Sequence, residues 1–324
     1  MILFLGAPTG TGTLPVISWA PEERPTVELR PLTEAVVEDI ARLHNTRLDQ
    51  HRTLWEDTEW THRVARGLIP EHLYTRPATS PGEQLVLLTH QTLSHVPFEA
   101  LDLDGTPLGV KYATARLTAP TATPRPAPKT ERTVAYFDPA LDWTPERLAI
   151  AAGPAATTVD TPTDLHRLLG PATLTLAACH GSAGPGLTGH LRATDGTRVL
   201  DALDVLAHDL TGGILLLEAC SSGRIVGHNY TEPLSLASAA LVAGASAVVA
   251  GTLPLPADPA CTGQIHAAAI NHLADGIPPA EALRLARGDY LANPPDTVRL
   301  PGPDTTARMP GRSPWAWAGA AVFI

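Results

Sequence analysis

The sequence predicts an α/β fold in which a mostly parallel central sheet is covered by helices on both faces. Three observations predict it. In the second half, short apolar runs such as "TLTLAAC", "GILLLEAC" and "ASAVVAGT" alternate with helical stretches, as in a chain of strand–helix crossovers. The runs are continuously apolar and lack the polar alternation of a strand with one wet face, so both their faces are buried. Hydrophobic residues make up 44% of 324 residues, enough for a full core.

In chain order, "MILFLGAPTG" is apolar but has no basic start and is broken early by Pro and Gly, which makes it a poor secretory signal. Residues 31–75 mix charges with Val36, Ile40, Leu43, Leu48 and Leu54 at near-helical spacing. This predicts an N-terminal helical region over residues 1–79, followed by an α/β domain over 80–324. "EQLVLLTH" and "GVKYATARLTA" read as strands, with "HVPFEAL" after a tight turn between them. Thr118–Arg132 is Pro-rich, has no periodicity and is expected to be an exposed linker. "TVAYFDP" reads as a strand ending on Asp138-Pro139. A short helix including Pro162–Leu169 precedes the strand "TLTLAAC". "LRATDGTRVL" predicts a hairpin turning at Asp195-Gly196. The helix "LDALDVLAHDL" and the strand "GILLLEAC" follow.

Pro233–Ala257 carries no charge and is long enough to span a bilayer. Gly244, Gly251, Pro254 and Pro256 interrupt it, so it reads as a helix (Leu234–Ala243), a turn at Gly244 and a buried strand (Ala245–Thr252). No membrane insertion is expected. Two helices, "DPACTGQIHAAAINHLADG" and "PPAEALRLARGDYLA", then a Pro/Gly loop at Asn293–Pro314, lead to a final strand in "WAWAGAAVFI".

The net charge of −10 argues against a nucleic-acid partner held through phosphates, which needs a basic face. Three cysteines in a chain of this length are no disulfide framework and point to a reducing, cytoplasmic setting.

Two strand ends stand out. "TLTLAAC" ends on Cys179-His180 and "GILLLEAC" ends on Cys220, each followed by glycine and serine: "HGSAGPG" and "CSSG". A right-handed strand–helix–strand crossover makes the two strands parallel and neighbouring, with both tips at the edge where open α/β sheets place their sites. Strands about 4.8 Å apart let side chains at the tips meet. Cysteine with histidine is a thiol nucleophile with its acid/base. The N–H groups of Gly181 and Cys220 would hold the oxyanion formed on attack at a carbonyl.

At this point the residues resemble a known family. "LSHVPFEAL", "LTLAACHG", "LRATDGTRVLDALDVL", "LLLEACSSG", "SLASAALVAGASAVVAGTLPLPADPA" and "WAWAGAAVFI" follow the order seen in the CHAT family of bacterial caspase-like cysteine peptidases, relatives of caspases, metacaspases, gingipains and separase. The resemblance covers residues 80–324. It implies a caspase-like three-layer sandwich, His180 as the dyad histidine, Cys220 as the nucleophile, a protein substrate, and neither metal nor organic cofactor. It also suggests a role in defence or cell death. Where family members usually have Trp before the proline, this chain has Leu253. Many members carry tandem helical repeats ahead of the domain and none is readable here, so recruitment is expected to fall to the first 75 residues, to a separate activating partner protein, or to nothing. A non-catalytic interaction module on the same fold is the alternative reading.

Other candidates are weaker. Cys179 lies on the opposite strand face from the dyad and reads as packing, as does Cys261 near a helix start. Cys179, His180, His190 and His208 fit no common zinc spacing. "GSAGPG" lacks the frame of a phosphate-binding loop. Glu218 lies two residues before Cys220, on the same strand face, after a wholly apolar run from Ile214 to Leu217. A carboxylate entering so dry an environment needs a partner. Arg224 and the backbone N–H groups of the following loop are structural candidates. The resemblance adds another: a substrate-binding role for Glu218, reading a basic residue before the scissile bond.

Overall fold

The computed structural model describes residues 1–10, 12–20, 23–44, 58–78, 83–117, 130–141, 156–184, 188–224, 235–256, 258, 261–300 and 308–324. The Pro-rich segment expected as a linker lies almost wholly outside the described residues, and its last residue, Arg132, already opens a strand.

The chain begins with β1 (Ile2–Leu5), β2 (Thr13–Trp19) and β3 (Thr26–Pro31), then helices α1 (Glu34–His44) and α2 (Glu59–Leu68). After β4 (Leu85–Thr89) come a two-stranded ribbon, β5 (Asp102–Leu103) and β6 (Thr106–Pro107), and β7 (Thr114–Arg116). The site-bearing half follows: β8 (Arg132–Phe137), β9 (Ala156–Val159), α3 (Pro162–Leu168), β10 (Thr173–Ala178), β11 (His180–Ser182), β12 (His190–Arg192), β13 (Arg198–Asp201), α4 (Ala202–Leu206) and β14 (Ile214–Glu218). The chain ends with α5 (Leu236–Val242), β15 (Ala247–Gly251), α6 (Thr262–Ala274), α7 (Pro279–Ala292), β16 (Thr297–Arg299), β17 (Arg308–Pro310), α8 (Pro314–Trp317) and β18 (Ala320–Phe323).

Eleven strands form one sheet in the order β3-β2-β1-β4-β7-β18-β15-β14-β10-β8-β9. Pairing is parallel except at β3–β2, β2–β1 and β15–β18. The sheet is the middle of three layers. Leu174, Leu176, Ile214 and Leu216 face one apolar layer with Ile265, Ile270 and Leu283 from α6 and α7. Ala177, Leu215 and Leu217 face a second with Leu165, Val205 and Leu236 from α3, α4 and α5. Every residue of β10 and β14 is buried, which is why these strands read as unbroken apolar runs.

The N-terminal region departs from expectation. Residues 1–79 do contain α1 and α2, but they also supply three strands. β1 pairs in parallel with β4, Ile2 opposite Val86 and Leu5 opposite Thr89, so the sheet has no boundary at residue 79. In β2 the buried Leu14, Val16 and Ser18 alternate with Pro15, Ile17 and Trp19. Because the outer residues are also apolar, the polar alternation that marks a strand is absent. Two further readings shorten. Among the described residues of "GVKYATARLTA" only Thr114–Arg116 is extended, after a single helical turn at Leu108–Lys111. In the closing "WAWAGAAVFI" the tryptophans belong to α8, which starts on Pro314, and the strand begins at Ala320.

The described residues of the uncharged segment form a helix, Leu236–Val242, and a strand, Ala247–Gly251, with Gly244 turning between them at φ +100°; Pro233, Leu234 and Ala257 lie outside the described residues. No helix among the described residues is long and apolar enough to cross a membrane.

Candidate active site

Three adjacent parallel strands, β14, β10 and β8, end at one sheet edge. Ala178 of β10 pairs with Glu218 on one side and Phe137 on the other. Just beyond this row the strands carry Cys220, His180 and Asp138. The sequence reading paired the first two, and the structure brings them to the same edge on neighbouring strands. Asp138 it passed over.

Beyond Ala178 the chain leaves the main sheet. His180 opens β11, which pairs antiparallel with β12, and β12 pairs with β13. The β12–β13 turn is the predicted hairpin: Gly196 has φ +87° and the Asp195 carboxylate accepts the Thr197 N–H at 2.8 Å. This turn holds Thr194 over the tip of β8. Thr194 donates its N–H to Asp138 Oδ2 at 2.7 Å and its hydroxyl to the same oxygen at 2.6 Å. Asp138 Oδ1 accepts the Ala140 N–H at 3.1 Å. The His180 imidazole is about half exposed; its Nε2 lies 2.9 Å from Thr194 Oγ1 and 3.9 Å from Asp138 Oδ2.

On the other side of His180, Gly181 packs against the Cys220 loop. A Cβ on Gly181 would overlap the Cys220 carbonyl oxygen and stand 3.0 Å from the Ala219 Cβ. Ser221, straight after the cysteine, is held at φ +54°, a conformation that costs a non-glycine residue energy and turns the chain sharply. The Ser221 N–H donates to Leu253 O at 3.1 Å. The segment after β15 thereby crosses the nucleophile loop, and the Leu255 N–H donates to Cys220 Sγ at 3.3 Å. Cys220 is half-buried; burial pushes its thiol pKa up, while the Leu255 N–H pulls it down. Among the described residues, imidazole and thiol make no hydrogen bond to each other. Such catalytic contacts commonly tighten only when substrate binds. The Cys220 N–H has no backbone acceptor among the described residues, and Gly181 stands against the Cys220 carbonyl.

Glu218 finds the partner that its dry surroundings demanded, and it is neither Arg224 nor the loop backbone. His266 of α6 donates from Nδ1 to Glu218 Oε2 at 3.0 Å, with both side chains buried. No described residue donates to Oε1. Cys179 sits on the opposite face in the second apolar layer, and burial pushes its thiol pKa up. Cys261 is fully buried and donates to Ala316 O at 2.7 Å; burial pushes its pKa up to about 12. Both cysteines are packing residues. Among the described residues no group of three His, Cys, Asp or Glu side chains could hold a metal ion.

A family model for the CHAT domain matches residues 58–324. Among solved structures, the chain is similar to a protein chain in the crystal structure of the Saccharomyces cerevisiae separase–securin complex, with a TM-score of 0.59 at 10% identity. The match covers 99% of this chain and 29% of that one, so the chain spans under a third of that relative's length, and the likeness is one of fold. No curated protein matches the sequence.

Proposed function

The chain belongs to the CHAT-domain family, and from that premise we propose that it is a caspase-like cysteine endopeptidase with Cys220 as nucleophile and His180 as acid/base. One observation carries the reading: histidine and cysteine lie at the tips of adjacent parallel strands, and the backbone of Gly181 packs on that of Cys220.

The raised thiol pKa sets the chemistry. At neutral pH the resting thiol keeps its proton, so His180 acts as a general base during attack and does not hold a preformed thiolate. The Sγ proton passes to the imidazole as sulfur bonds to the scissile carbonyl carbon. The carbonyl electron pair moves onto oxygen, which the N–H groups of Gly181 and Cys220 stabilise. As the C–N bond breaks, the imidazolium returns the proton to the leaving amine. A water, deprotonated by the same imidazole, then hydrolyses the thioester and the thiol is regenerated.

Glu218 supports a preference for a basic residue before the scissile bond. The Glu218 carboxylate lies on the face that carries Cys220, and its Oε1 accepts no hydrogen bond from described residues. The substrate is a protein, an activating protein partner is expected, and the setting is a cytoplasmic defence or cell-death pathway, as the family resemblance suggests.

A second reading, a non-catalytic interaction module, is favoured by the resting thiol, which contacts the Leu255 backbone and not His180. A thiol-reactive acyl probe separates the two. Labelling of Cys220 that is abolished by His180→Ala, together with cleavage of an arginine-containing peptide library, supports the peptidase. An unreactive Cys220 and no cleavage, even with candidate partners added, favours the module.

A further inference from the structure

We propose that Asp138 and Thr194 are positioning residues that fix the His180 tautomer, so that Nδ1 is the nitrogen that takes the Cys220 proton. This rests on the peptidase reading above for its consequence, but not for its geometry.

The argument follows the protons. Asp138 Oδ2 accepts two hydrogen bonds from one residue, the Thr194 N–H at 2.7 Å and the Thr194 hydroxyl at 2.6 Å, and Oδ1 accepts the Ala140 N–H. A hydroxyl has one proton to give. Thr194 spends it on the carboxylate, so towards His180 it offers only lone pairs. The contact of 2.9 Å between Thr194 Oγ1 and His180 Nε2 is therefore a bond donated by Nε2–H. A neutral imidazole carries one proton. With that proton on Nε2, Nδ1 is the ring's basic nitrogen.

Asp138 is held for this task. It is 2% exposed at the end of a buried strand, its N–H donates to Ala178 O at 2.9 Å, and proline follows it. Thr194 is pinned by a hairpin turn with its own internal hydrogen bonds. The aspartate acts on the imidazole through the threonine, being 3.9 Å from Nε2. When Nδ1 takes the proton and the ring becomes cationic, the same chain stabilises it: Nε2–H still donates to Thr194 and the carboxylate charge lies next to the threonine.

The geometry also says what each substitution does. Asparagine at 138 would keep its amide oxygen on the Thr194 N–H and hydroxyl, whereas in Asp138→Ala the hydroxyl has no acceptor there. The hydroxyl is then free to turn and donate to Nε2, which moves the ring proton to Nδ1. Thr194→Val removes the relay but keeps the side-chain shape at an exposed position. Thr194→Ser keeps the hydroxyl.

The test uses full-length protein labelled with ¹⁵N-histidine at about pH 8.5, above the ordinary imidazole range. The His180 signals are identified by their loss in His180→Gln. Wild type and Thr194→Ser are expected to show the Nε2–H tautomer, Asp138→Ala the Nδ1–H tautomer, and Thr194→Val a mixture. In peptide cleavage, Asp138→Ala and Thr194→Val are expected to lower kcat about 100-fold or more with KM changed less than about 3-fold, whereas Thr194→Ser stays near wild type. The wild-type tautomer surviving in both Asp138→Ala and Thr194→Val overturns the proposal, as does a wild-type ring protonated on Nδ1. The two readings fail separately. A protein that cleaves nothing but whose tautomer shifts as described refutes the peptidase and supports the relay; one with full activity and an unmoved tautomer in both variants refutes the relay alone.

Discussion

Gly181 lies so close to Cys220 that no other residue fits: a Cβ there would overlap the Cys220 carbonyl oxygen. The glycine after the histidine is thus a condition for the histidine strand and the cysteine loop to touch at all. Gly181→Ala is expected to push them apart. The cost is about 1–3 kcal/mol of stability, as for other overpacked sites, with a larger proportional loss of activity. Gly288 makes the contrast. A Cβ there meets nothing, and it lies inside α7, so Gly288→Ala should stabilise by about 0.5–1 kcal/mol and leave cleavage unchanged. Chemical denaturation and peptide hydrolysis on the two variants check this. A Gly181→Ala protein as stable and active as wild type would contradict it.

Cys220→Ala and His180→Ala should each reduce cleavage to background while the circular dichroism spectrum stays native. Nucleophile and base work as one unit, so the double variant should be little worse than either single one. Cys179→Ala, on the far face of the sheet, should keep most of the activity. Wild-type turnover by Cys220→Ala would mean that another group performs the chemistry.

Glu218 holds His266, and two substitutions separate that contact from the substrate-binding role proposed above. Removing the carboxylate leaves His266, 1% exposed, without its acceptor, so Glu218→Ala should cost about 3 kcal/mol of stability, the scale for breaking a buried pair. Glu218→Gln keeps an oxygen for His266 and removes the charge. It should retain the fold and lose the preference for Arg over neutral residues before the scissile bond. A P1-scanning peptide library checks this. Equal cleavage after Leu, Asp and Arg by the wild type would leave Glu218 with the structural role alone.

Stability should fall at alkaline pH. Burial raises the pKa of all three thiols, Cys261 to about 12 from a value of 9.0. A raised pKa means that the folded state holds a proton which the unfolded chain gives up. Stability is therefore unaffected below pH 9 and is lost as the pH climbs from 9 towards 12. Each thiol contributes a slope of about 1.4 kcal/mol per pH unit while only the unfolded form is ionised. Tyr74, Tyr112 and Tyr136, raised by burial to about 12 from 10.0, add to the fall at the upper end. Denaturant titrations across this range should show a shallower fall in Cys261→Ala. An identical slope would show that Cys261 ionises equally well in the folded chain.

The sequence by itself determined what local pattern controls. β10 and β14 are unbroken apolar runs because both faces are buried, and their order with a crossover between them makes their tips neighbours. That was enough to bring His180 and Cys220 to one edge, to put Cys179 on the opposite face, and to set the hairpin turn at Gly196. Only the tertiary structure decided the partners. Asp138 meets Thr194 across 56 residues, Glu218 meets His266 across 48, and Leu255 reaches Cys220 across 35. No period or motif encodes these contacts. They depend on which strands flank β10, how far the β12–β13 turn leans back, and which turn of α6 lies over β14. The same holds for β1 and β2, whose outer residues are apolar enough to hide the strand alternation. β1 takes its place in the sheet by backbone pairing with β4, and β2 then pairs with β1, a hydrogen-bonding preference open to almost any side chain.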